Sequence, residues 1–149
     1  MMRPFRECGI RTRVWHQDES DVQLARKILT WLTYSLRPLR VTELQHALAL
    51  EPEDTFLDED ALPDEGLLIS LCAGLVAIDK ESDIIRLVHH TTQEYFERSR
   101  MDLFPDGHRE IAHTCLTYLS LEKFATPFDK GSAAWDKHLE DDAFLGYAA

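Results

Sequence analysis

The sequence has no apolar run near the roughly 20 residues that a membrane-spanning helix requires, so none of its 149 residues read as a helical membrane anchor. A secretory signal is missing too. The opening MMRPFRECGIRTRVW is basic, with Arg3, Arg6, Arg11 and Arg13 against Glu7 alone, but it has no apolar centre. No G-x-x-x-x-G-K-[ST] phosphate loop occurs, so no nucleotide site can be assembled from this chain. Cysteine is scarce: Cys8, Cys72 and Cys115 are odd in number and form no C-x-x-C. That pattern offers neither a disulfide framework nor a zinc ligand set, and it suits free thiols in a reducing, cytoplasmic compartment. Basic residues are the minority, 16 against 27 acidic ones, giving a net charge of −11 that repels phosphate backbones. No repeat at a solenoid period is present.

What remains is ordinary globular material, 44% apolar and 29% charged, long enough for one domain with a core and an attached helical piece. Leu24, Ile28, Trp31, Leu32 and Leu36 recur at helical spacing, predicting a helix over Asp21 to Leu36 with Ser20 as N-cap. Arg37-Pro38 ends it, because proline disfavours the helical region for the residue before it. Val41 leads into a second helix, with Thr42 and Gln45 spaced as a capping box and a stop near Leu50. Residues 51 to 65 carry eight carboxylates and no base, an acidic loop that Phe56, Leu57 and Leu62 could pin to the body. A third helix is expected over Asp64 to Ala73, its apolar side Leu67, Leu68, Leu71 and Cys72, with Gly74 as left-handed C-cap.

LVAID-KESD-IIRLVH reads as a β-hairpin, two β-rich runs around a polar turn. In its second strand Ile85, Leu87 and His89 share one face, and Arg86, Val88 and His90 the other. Thr91 and Glu94 have capping-box spacing, placing His89 and His90 at a corner between strand and helix, where unpaired amides could meet an anion. The helix after the corner is expected over Thr92 to about Arg100. Another follows from Asp106 to Leu121, with Ile111, Ala112, Cys115, Leu116 and Leu119 on its buried side. Phe124, Phe128, Trp135, Leu139, Phe144, Leu145 and Tyr147 are spread through the polar remainder, and the stop at Ala149 reads as a cut inside a helix, the mark of a fragment or of a truncated gene model.

The fold class that follows is mainly α with a small β-hairpin: a winged helix, meaning helix-turn-helix plus wing, followed by a helical extension. Residues 1–19 read as a basic tail or the remnant of an upstream element, 20–100 as the winged-helix domain, and 101–149 as the extension.

The blocks LARKILTWLTYSLRPLRVTELQHALAL, LLISLCAGLVAID, IIRLVHHTTQEYF and HTCLTYLS resemble, in order, the winged-helix region of fungal NACHT–ankyrin proteins. These are STAND-class signalling NTPases similar in plan to animal NLR proteins. The same module carries the name of the GPI inositol-deacylase winged-helix domain. The resemblance covers about residues 17 to 121, and FLGYAA is similar to the helix that leads into the ankyrin array.

It implies a non-catalytic regulatory and spacer module that packs on a nucleotide-binding module and holds it closed around ADP. The corner histidine of the plant MHD motif reaches the β-phosphate in such proteins, and His89 takes its place. His90 stands where that motif has aspartate, and His89, His90 and Arg86 form the implied interdomain contact. ADP or ATP is expected only in a NACHT module, with ankyrin-type repeats as the other partner and no cofactor or metal on this chain. No nucleic-acid or membrane partner is expected.

Other readings stand beside this one. His89 could be a core histidine, given its strand face beside Ile85 and Leu87. The chain could be a stand-alone protein–protein interaction module, and its acidic loop could dock a basic patch. A DNA-binding winged helix would need basic and amide side chains on DEGLLISLCA, which is acidic and then apolar. A Cys–His hydrolase would need Cys72 or Cys115 exposed, yet both lie on apolar helix stripes.

Overall fold

In a computed structural model of the chain, residues 13–125, 129 and 131–149 are described. Cys8, Phe128 and the arginines before Arg13 lie outside them.

Helix α1, Glu19–Tyr34, is the central element, and the other main helices pack against it. Its inward stripe, with Ala25, Ile28, Leu29, Trp31 and Tyr34, is at most 5% exposed. The helix begins two residues before the expected start, from Asp18 rather than Ser20, with Val22 N–H donating to Asp18 O at 2.9 Å. It also ends earlier. Ser35 is already extended, at ψ 139°, and Leu36 is 91% exposed rather than buried. The chain must straighten before Pro38, so the turn consumes the last predicted helical residues.

The two residues that follow, Leu39–Arg40, form a short strand β1 that the sequence pattern does not reveal. A pair of residues is too short for any periodicity to register. Helix α2 spans Val41–Ala49. Its cap is made by Arg40 and Glu43, not Thr42 and Gln45: Arg40 N–H donates to Glu43 Oε2 at 2.9 Å. Gln45 instead donates to Pro63 O at 2.8 Å and ties down the far end of the acidic loop. Within that loop Leu57 packs against the core, whereas Phe56 is 70% exposed and pins nothing. Thr55 O accepts from Glu122 N–H at 2.9 Å, so the loop leans on the C-terminal part of the chain.

Helix α3 is short, Glu65–Leu71, opened by the Asp64 carboxylate accepting from Leu67 N–H at 2.8 Å. Leu68, Leu71 and Cys72 face inward, and Leu67 does not. The helix stops before Ala73, because Ala73 and Gly74 both turn left-handed, at φ 50° and 85°. Strands β2, Val76–Asp79, and β3, Ile84–Leu87, then form the expected hairpin. With β1 they make a three-stranded antiparallel sheet in the order β1-β3-β2, Leu39 opposite Ile85 and Val76 opposite Leu87. Helix, strand, two helices and a two-stranded wing is the winged-helix order.

Helix α4 runs His90–Leu103 and α5 runs Gly107–Leu119. The buried side of α5 departs from the sequence reading. Thr117 and Tyr118 are buried, Ile111 and Cys115 half-buried, while Ala112, Leu116 and Leu119 are exposed. The helix is rotated so that the Tyr118 ring enters the core between Phe144, at 5.0 Å, and Phe124, at 5.5 Å. Two more helices close the chain, α6 at Ala133–Asp141 and α7 at Leu145–Ala148. Phe144 and Leu145 are fully buried and join the same core as α1.

Candidate functional site

The corner between β3 and α4 is the candidate site. Ile85 and Leu87 are buried, as the strand pattern requires, and they anchor the strand in the core. Strict alternation would then bury His89, but the strand ends at Leu87 and the chain leaves the sheet. Val88 N–H donates to Leu75 O at 2.9 Å, and His89 follows as the extended N-cap of α4 at φ −113°, ψ 136°. His89 is exposed, so it is not a core histidine. Its carbonyl accepts from Thr92 and Gln93 N–H, both at 3.1 Å.

The expected Thr91–Glu94 capping box does not form. The helix begins at His90, and no side chain caps it. Glu94 reaches back to His90 Nε2 at 3.3 Å instead, on the open surface. Arg86 and His90 are exposed beside His89, so all three expected contact residues lie on the molecule's outer face. Val88, 44% exposed, adds an apolar spot among them.

Next to the corner lies an open groove of about 480 Å³ between the end of α1, the hairpin and α4, walled by Leu36, Arg37, Arg86, Gln93 and Glu97. Asp79 also borders it. Its carboxylate is held below the usual range, first by accepting from Glu81 N–H at 3.0 Å and then by the Ser82 hydroxyl, so it stays an anion at the groove's edge.

The arginine wall is part of a node that sequence patterning does not expose. Arg37 grips Glu43 with both guanidinium nitrogens, at 2.6 and 3.0 Å, and lies 5.1 Å over the Tyr147 ring. The Glu43 hydrogen bonds, acting against desolvation, raise the guanidinium pKa further. Its members come from α2, the loop before β1 and α7, and no single period connects them. A second such cluster holds Asp142, which is buried, against Lys123 and against His138 Nδ1 at 2.8 Å. Near it lie the buried Tyr118 hydroxyl and His46 Nδ1, their rings 6.4 Å apart.

Burial pushes the Cys72 thiol up to about 12, and it raises the Cys115 thiol as well, so neither supplies a thiolate nucleophile near neutral pH. Among the described residues no group of three or more His, Cys, Asp and Glu could hold a metal ion. The outward side of α3 shows Gly66, Leu67, Ile69 and Ser70, and Lys80 of the hairpin turn beside it is paired with Glu65 at 3.2 Å. Among the described residues no helix is long and apolar enough to cross a membrane.

Residues 16–104 match the family described as GPI inositol-deacylase, winged helix domain. A curated relative, the azaphilone pigments biosynthesis cluster protein L of Monascus ruber, is 33% identical over 119 residues. That similarity covers 68% of this chain but only 25% of the relative, so the chain spans about a quarter of the relative's length. No solved structure matches.

Proposed function

The chain belongs to the GPI inositol-deacylase winged-helix-domain family, and from that premise we propose that it is a non-catalytic regulatory module that docks on a NACHT-type nucleotide-binding module. His89, His90 and Arg86 form the contact, and His89 meets the β-phosphate side of ADP. The contact stabilises the ADP-bound closed state, and its loss frees the modules to separate. Ankyrin-type repeats follow in the assembled protein, which works in the cytoplasm.

One observation carries this reading: the corner stays outside the chain's own core, with His89 and His90 exposed at an uncapped helix start. Unpaired amides and the positive end of the helix favour a negatively charged neighbour there. The contact acts as a switch only if it is made in one nucleotide state, because a partner that binds two states equally shifts neither.

The test is binding of this chain to a purified NACHT-type module loaded with ADP or with a non-hydrolysed ATP analogue, followed by calorimetry. The ADP form should bind at least about tenfold more tightly, about 1.4 kcal/mol, and His89→Ala should erase the preference. Equal affinity for the two forms would sink the proposal.

A further inference from the structure

We infer that Tyr147 of α7 is a latch that holds the loop between α1 and β1 and thereby sets the shape of the corner face. Apart from the Arg37–Glu43 fork and the Ser35 N–H bond to Trp31 O at 2.9 Å, the loop has little else to hold it. Leu36 is 91% exposed and contributes no core packing. Leu36 N–H donates to Tyr147 Oη at 3.2 Å, and the Arg37 guanidinium covers the Tyr147 ring. A loop with exposed side chains and few apolar contacts takes its order from such bonds.

The bonds continue without a gap to the corner. Arg37 forks Glu43, whose side chain is 8% exposed and whose Oε2 also accepts from Arg40 N–H at 2.9 Å. Arg40 is half of β1 and pairs with Ile84, while Leu39 pairs with Ile85, and Val41 N–H donates to Asp83 O at 2.9 Å. Strand β3 runs from those residues to Leu87, two positions before His89. Leu36 and Arg37 also form one wall of the corner groove, and Arg86 and Gln93 belong to another. Movement of the loop therefore changes the groove directly and the strand through a paired backbone.

The latch lies in α7, beyond residues 16–104 that match the family, so control of the corner comes from the extension. Tyr147 is itself held, at 5.6 Å from both the Trp31 and Phe144 rings. Any event that lifts α7 releases loop and groove together. This inference concerns the chain alone and stands apart from the identity of the docking partner.

Hydrogen exchange of the whole chain, without partner or nucleotide, tests it. Tyr147→Phe removes the hydroxyl and keeps the ring, so folding is preserved. Exchange should speed up about three- to tenfold in 36–40 and also in 84–89, as expected for one lost hydrogen bond, while the buried amides of α1 stay unchanged. Arg37→Lys, which keeps the charge but loses the fork, should reproduce the pattern. Acceleration confined to 36–40 would overturn the coupling. A uniform rise through α1, or no change anywhere, would overturn the latch.

Discussion

Single residues in this chain do work that their type does not announce. Gly107 is needed for space rather than for backbone freedom: a Cβ there would lie 2.3–2.8 Å from carbons of the Tyr34 ring. That ring cannot retreat, because Tyr34 Oη donates to Phe104 O at 2.8 Å, closing α1 onto the turn between α4 and α5. Gly107→Ala should therefore cost about 1–3 kcal/mol through overpacking, read as a lower urea midpoint at unchanged slope. An unchanged midpoint would mean that the ring has room to move. His89 shows the opposite case. Its exposure was decided by where β3 ends, and the two-residue rhythm of the strand pointed the other way.

At the scale of elements, the hairpin and α5 differ in how far local pattern decides what is buried. The hairpin is legible because its alternation and its polar turn agree, and Ile85 and Leu87 are buried as read. In α5 the apolar residues Ala112, Leu116 and Leu119 suggest one face, yet the helix buries Thr117 and Tyr118 instead. Two elements distant in sequence decide this, α1 and the Phe144 turn, which leave a slot for a large ring. Phe144 is the other half of that choice, fully buried with Trp31 at 5.6 Å and Tyr118 at 5.0 Å. Phe144→Ala should cost about 3–5 kcal/mol, a large part of a typical domain's stability. Calorimetry should find the loss in one cooperative transition that includes α1. A variant that melted only locally, with α1 intact, would show that the extension is dispensable to the core.

For the whole molecule, burial sets a pH window. The Cys72 thiol is pushed up to about 12 and the Tyr118 and Tyr147 hydroxyls are raised, in each case chiefly by burial. The fold holds these protons more tightly than the unfolded chain does, so their stability is intact below about pH 9 and is lost as pH climbs towards 12. For Cys72 alone, about 1.4 kcal/mol per pH unit gives a loss of about 2 kcal/mol by about pH 10.5. His46 acts on the acid side. Burial first, then Lys123, lowers its pKa, so stability falls as pH drops through the ordinary imidazole range and the unfolded chain takes up the proton. Urea titrations across pH should show a plateau near neutrality that falls away on both sides. Cys72→Ser should flatten the alkaline side, and an alkaline limb that did not change would contradict the burial argument.

Local chemistry determined most of the helices, the hairpin, the acidic loop and the position of the corner, because apolar period, proline and turn residues act over a few neighbours. The resemblance of ordered blocks determined the family for the same reason, since the blocks are those local patterns in series. Only tertiary structure decided that His89 faces outward, that α5 buries a tyrosine rather than its leucines, and that Arg37, Glu43 and Tyr147 meet. Those outcomes depend on which surfaces far apart in the chain compete for the same volume and the same hydrogen bonds, and no stretch of sequence carries that information alone.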